Sequence, residues 1–109
     1  MKYRVIVQPP ALMDLEHAYL WAAARAPHTA ARWYNRFWNA LQTLDTNPQR
    51  CGLAPENSAF EPEIRQLFFG KKPNVFRTLF TIEGDRVRIL HIRRVSRRVM
   101  TAVELGDSL

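Results

Sequence analysis

A chain of 109 residues with a single cysteine and a net charge of +6 is sized for one domain and cannot form an internal disulfide. Neither its ordinary apolar fraction, 47%, nor its composition suggests a disordered or low-complexity protein, and no run approaches the roughly 20 apolar residues of a membrane span. The short apolar stretch after Met1 is cut off by Pro9-Pro10, too early for a secretory signal, so a cytoplasmic protein is expected.

The elements follow in order. Tyr3 to Val7 is rich in β-formers and reads as a strand. After Pro10, Leu12, Leu15, Tyr19 and Ala22 recur at helical spacing, with Asp14 and Glu16 expected near the positive end, and Ala26-Pro27 stops the helix. Thr29 is the expected cap of a second helix, whose Ala30, Tyr34, Phe37, Leu41 and Leu44 form one stripe and which Asn47-Pro48 closes. Trp33 and Trp38 flank that stripe, with hairpin packing and target contact both open to them. The short link between the helices requires an antiparallel hairpin. After an irregular stretch come strands at Glu63–Phe69, Val75–Ile82 and Arg86–Arg93, joined by Gly70-Lys71-Lys72-Pro73-Asn74 and a tight Glu83-Gly84-Asp85 turn. The expected fold is a single α+β domain over residues 1–109: N-terminal strand, antiparallel helical hairpin, three-stranded antiparallel meander (β-α-α-β-β-β).

Charge is segregated along this order. Residues 1–63 hold six basic and six acidic groups, whereas residues 64–98 hold ten basic groups against Glu83 and Asp85. Thirteen of the sixteen cations are arginine, the side chain suited to bidentate contact with phosphate or carboxylate, so a polyanionic or acidic partner is expected. Strand alternation places Arg77 with Val75, Leu79 and Thr81, Arg93 with Val87, Ile89 and His91, and Arg88 and Arg94 with Leu90 and Ile92. One sheet face must take the helices, and the other is expected to stay open as a mixed arginine and aliphatic surface.

There is no phosphate loop, no nucleophile elbow, and no metal spacing among His17 (mid-helix), His28 (in a turn) and His91 (in a strand), so no metal or cofactor is expected. Cys51 reads as inert. Arg65 has Glu61 and Glu63 as candidate partners.

Ile64-Arg65-Gln66-Leu67, the strand Val75-Phe76-Arg77-Thr78-Leu79-Phe80-Thr81-Ile82, and Val87 to Arg97 together resemble the RelE/ParE toxin superfamily of plasmid-stabilising type II toxin-antitoxin systems. Ala30-Ala31-Arg32, Ala40-Leu41, Leu44 and Asn47-Pro48 match its second helix. The resemblance covers Tyr3 to Arg98 and implies a RelE-like fold, toxin activity and a cognate antitoxin, with operator DNA contacted only through that antitoxin. Two family tyrosines are replaced by Phe76 and Phe80, and the "H-G-A-R" position reads Arg94-Val95-Ser96-Arg97. No tyrosine follows Tyr34 and no histidine follows His91. Arginine stays protonated and makes a poor base, although Arg77 and Arg97 would serve a ribonuclease as cationic clamps. The resemblance therefore leans to the ParE-like branch, which acts on DNA gyrase without a catalytic base. The alternatives are a ribosome-dependent mRNA endoribonuclease and a non-toxic binding module. Arg65, Lys71, Lys72, Arg77, Arg94, Arg97 and Arg98 are the expected contacts for target or antitoxin.

Overall fold

The computed structural model describes residues 2–59 and 62–106. Strand β1 (Arg4–Val7) leads into helices α1 (Pro9–Ala23) and α2 (Pro27–Gln42); 3-10 turns at Thr43–Asp45, Pro48–Arg50 and Pro55–Ala59 follow. Strands β2 (Arg65–Lys71), β3 (Asn74–Glu83) and β4 (Arg86–Arg94) form the meander, and a short helix α3 (Ala102–Gly106) ends it. The sheet order is β1-β4-β3-β2, with β1 parallel to β4 and the other pairs antiparallel. The expected α+β order is thus present, with one parallel pair at its edge.

Both helices begin on proline, which loses no helical hydrogen bond in a first turn. Pro27 opens α2 with Ala26 before it and no side-chain cap, so the expected cap at Thr29 is not used; Thr29 and His28 lie inside the helix. No acidic residue stands in the first turn of α1. Asp14, placed there from the sequence, instead accepts the Ile92 backbone N–H at 2.9 Å and faces His91 Nδ1 at 2.9 Å, tying α1 to β4 beyond the end of β1. At the hairpin Gly84 takes φ 58°, the conformation that a two-residue hairpin loop requires. Gly70 takes φ 108°, and a Cβ there would run into the Asn74 carbonyl oxygen.

The core lies between the hairpin and one sheet face: Leu15, Phe37, Leu41 and Leu44 meet Phe76, Phe80, Val87, Ile89 and Ile92. Trp33 and Trp38 pack partly buried against it, Trp33 at 5.4 Å from Phe37 and 5.5 Å from Phe76 between ring centres. Alternation on β4 is broken. Leu79 pairs with His91 but Phe80 pairs with Ile89, so Leu90 is an extra residue, a bulge. Parity reverses there, which corrects the expected facing: Arg94 joins Ile89 and Ile92 on the helix side, and Arg93 stands beside Arg77 on the other.

That second face is not open. Leu79, Leu90 and Ile64 are covered by Ala54, Met100 and Leu105 as a smaller core. The chain's own C-terminal strap, residues 98–106, fills the surface that alternation alone leaves free.

Candidate cationic docking trough

The arginines divide into those closed by internal partners and those that are not. Arg77, 5% exposed, donates to both oxygens of Glu56 at 2.7 and 2.5 Å. Glu56 Oε2 also accepts the Met100 backbone N–H at 2.9 Å, so this pair anchors the strap. Burial pushes the Glu56 carboxyl up, but the Arg77 guanidinium and the Met100 N–H outweigh it and hold it below the usual value. Arg77 therefore does not present to solvent, contrary to the expectation that it forms part of an available surface.

Arg98 clasps Glu104 at 2.7 and 3.1 Å. Thr101 and Glu104 exchange side-chain-to-backbone bonds at 3.0 and 3.2 Å, a capping box that starts α3. The Arg98 guanidinium and these bonds hold the Glu104 carboxyl down at about 2. Arg93 lies under the strap and donates to the Arg98 carbonyl at 3.3 Å; burial lowers its pKa, and crowding by Arg97, Arg98 and Arg77 adds to the effect while Glu104 opposes it. Arg65 pins the preceding loop, donating to the Cys51 carbonyl at 2.6 Å and pairing with Glu63 at 3.5 Å. Glu61, its other candidate partner, lies outside the described residues. Burial pushes the Cys51 thiol up, against Arg50 and Arg65, which keeps it an unreactive thiol.

The remaining cations line a trough where the hairpin meets the ends of β3 and β4. Its central cavity, about 180 Å3, has a floor of alanines (Ala18, Ala22, Ala26, Ala30) walled by Trp21, Trp33 and Phe76, with Asn74 and Arg94 on the strand side. One end widens to about 440 Å3 and reaches Asp14, His17 and Arg97. At the other end, about 390 Å3, Trp33 and Asn74 give way to Arg36, Phe69 and Lys71. Arg94 donates to Asn74 Oδ1 at 3.0 Å and stands 5.2 Å from the Trp21 ring centre and 5.3 Å from that of Phe76. Arg25 sits over Trp21 at 3.8 Å. Among the described residues, Arg36, Lys71, Arg94 and Arg97 have no carboxylate within ion-pair distance.

Of the seven sequence-expected contacts, the structure brings Lys71, Arg94 and Arg97 to this trough, with Lys72 in the adjacent turn. Arg65, Arg77 and Arg98 are engaged internally. Sequence reasoning missed Trp21, Asn74 and Glu56. A signal for Trp21 existed: α1 is apolar beyond its core stripe, with Met13, Leu20 and Trp21 all more than half exposed. Glu56, in an irregular segment, carried none. No group of three or more metal-binding side chains occurs among the described residues, and no described helix is long and apolar enough to cross a membrane.

Residues 5–99 match the ParE toxin family, described as the ParE toxin of the type II toxin-antitoxin system parDE. Among curated proteins none matches. Among solved structures, the chain is similar to one from the chromosomal ParDE toxin-antitoxin system of P. aeruginosa, at a TM-score of 0.70 and 20% identity, over 87% of this chain and 98% of that one. That likeness concerns the fold: strand, helical hairpin and meander in the same order. With the family match spanning nearly the whole described fold, the chain belongs to the ParE toxin family of type II toxin-antitoxin systems.

Proposed function

We propose that this toxin arrests growth by acting on DNA gyrase and is neutralised by a cognate antitoxin. The burial of Arg77 against Glu56 carries this reading. The central-strand arginine, which would have to clamp phosphate in a ribonuclease, is consumed in holding the fold. What remains outward is a docking surface, with Arg94, Arg97, Lys71 and Lys72 as its cations. Inhibition of a large enzyme requires only such a surface, not an acid or base. The test is supercoiling by purified gyrase with saturating chain. Loss of supercoiling, or accumulation of broken DNA held by gyrase, is expected; undisturbed supercoiling overturns the proposal.

One observation favours a second reading. His17 lines the same cavity as Arg94 and Arg97, placing an imidazole beside two guanidinium groups. Histidine is the side chain best matched to proton transfer near neutrality, and such transfer contributes about 10²–10⁴-fold to a rate. On this reading the chain cuts ribosome-bound mRNA. Codon-positioned cleavage in a translating extract, abolished by His17→Ala, supports it; intact messages exclude it.

A further inference from the structure

We infer that the trough is the seat of an acidic amphipathic segment of the antitoxin, with aliphatic side chains on the Trp21–Trp33–Phe76 floor and carboxylates at both ends. This rests on the antitoxin reading above and adds to it the place, the chemistry and the order of the contacts. The central cavity, about 180 Å3, is slightly larger than the roughly 150 Å3 cavities that take up a benzene-sized group, so it accepts one or two branched aliphatic side chains. Its alanine floor offers no hydrogen-bonding side chain, so it rewards apolar burial and little else.

The charges are arranged as a frame. Arg97 and Arg94 stand at one end and Arg36 and Lys71 at the other, none of them paired with a carboxylate among the described residues. Asp14 also borders the trough, but its carboxylate is engaged by His91 and the Ile92 N–H. The complement of this frame is acid, apolar, acid. Midway, Asn74 uses its carbonyl oxygen on Arg94, while its amide N–H groups have no partner among the described residues and can meet a peptide carbonyl.

The same features disfavour nucleic acid. A single strand needs aromatic faces on which to stack, and here Phe76 is only 7% exposed while the Trp21 ring already carries Arg25 and Arg94. A phosphate backbone would have to cross the apolar floor, whereas leucine or isoleucine gains from it.

The probe is an acetylated, amidated 14-residue peptide of alanine and glutamate, with glutamates at both ends and two leucines four positions apart in the middle. Titration calorimetry measures its binding to the full chain. Arg97→Glu and Lys71→Glu, both at exposed positions and at opposite ends, are each expected to weaken binding about tenfold, since a lost pair becomes a like-charge contact. Trp21→Ala is expected to weaken it about thirtyfold, as removal of a central aromatic anchor does. A version with lysines replacing the glutamates should bind the Arg97→Glu, Lys71→Glu double variant more tightly than the original chain. The proposal is overturned if the peptide does not bind, if the lysine or leucine-to-serine versions bind as well, or if the variants bind like the original. It is also overturned if a ten-nucleotide single strand binds instead with those same variant sensitivities. Gyrase takes no part in this measurement, and neutralisation is read separately, as relief of growth arrest by the antitoxin gene. A chain that binds the peptide yet leaves gyrase undisturbed therefore overturns only the gyrase proposal.

Discussion

Beneath the strap and along the trough the protein uses the same residue type, within a few residues of each other in β3 and β4, for opposite ends. Arg77 and Arg98 each meet a carboxylate from the same chain and close a segment onto the sheet. Arg94 and Arg97, equally cationic, meet aromatic rings, an amide and open space. The contrast teaches that a basic tally describes supply, while the local carboxylates decide use. A guanidinium matched by a buried carboxylate is structural; one left unmatched beside apolar surface remains available to a partner.

The sharpest way to break this comparison is to remove the carboxylate under the strap. Glu56→Gln leaves Arg77 buried without a counter-charge and is expected to cost about 3–5 kcal/mol, measured by denaturant unfolding. Equal stability would mean that the pair does not hold the strap. Leu105→Ala removes a fully buried contact of the smaller core and is expected to cost about 2–4 kcal/mol in the same measurement, with the strap's amides losing protection first. Gly70→Ala, which would force a Cβ at φ 108° against the Asn74 carbonyl, is expected to cost about 1–3 kcal/mol and to disturb the Lys71 end of the trough. On the other side of the comparison, Arg97→Gln should change stability by no more than about 0.5 kcal/mol, because nothing internal depends on it. A large loss there would erase the distinction between the two groups of arginines.

Acid offers a graded version of the same contrast. Glu56 and Glu104 have pKa values lower in the folded than in the unfolded chain, so their contribution is fully present above the unfolded value near 4.5. It is lost as pH falls through the folded values, about 2 for Glu104. Glu104 is exposed and screened by salt, so its loss should appear as fraying of α3 seen by hydrogen exchange rather than as global unfolding. The trough cations have no carboxylate partner to protonate, and their geometry should not change across that range.

How far the fold was legible varies by element. The second helix was readable because its stripe from Ala30 to Leu41 has one periodicity and one face to bury. The Glu83-Gly84-Asp85 turn was readable because glycine alone relaxes into the required backbone. The facing of Arg93 and Arg94 was not, because Ile89, Leu90 and Ile92 are all apolar and admit a bulge without any change in composition. Arg77 and Arg97 looked equivalent in the sequence, both being arginines on or just after a strand.

From the sequence alone come the order of elements, the helix boundaries set by Pro27 and Pro48, and the concentration of cations after residue 64, since these depend on local propensity and on counting. The tertiary structure decided which arginines remain outward. Glu56 lies 21 residues from Arg77 and Met100 lies 44 residues from Glu56, separations at which only the folded chain brings charges together. It also decided that the sheet's second face is covered and that the open surface lies where the hairpin meets the strand ends. Burial is a property of neighbours in space, and no local pattern in the chain records who those neighbours are.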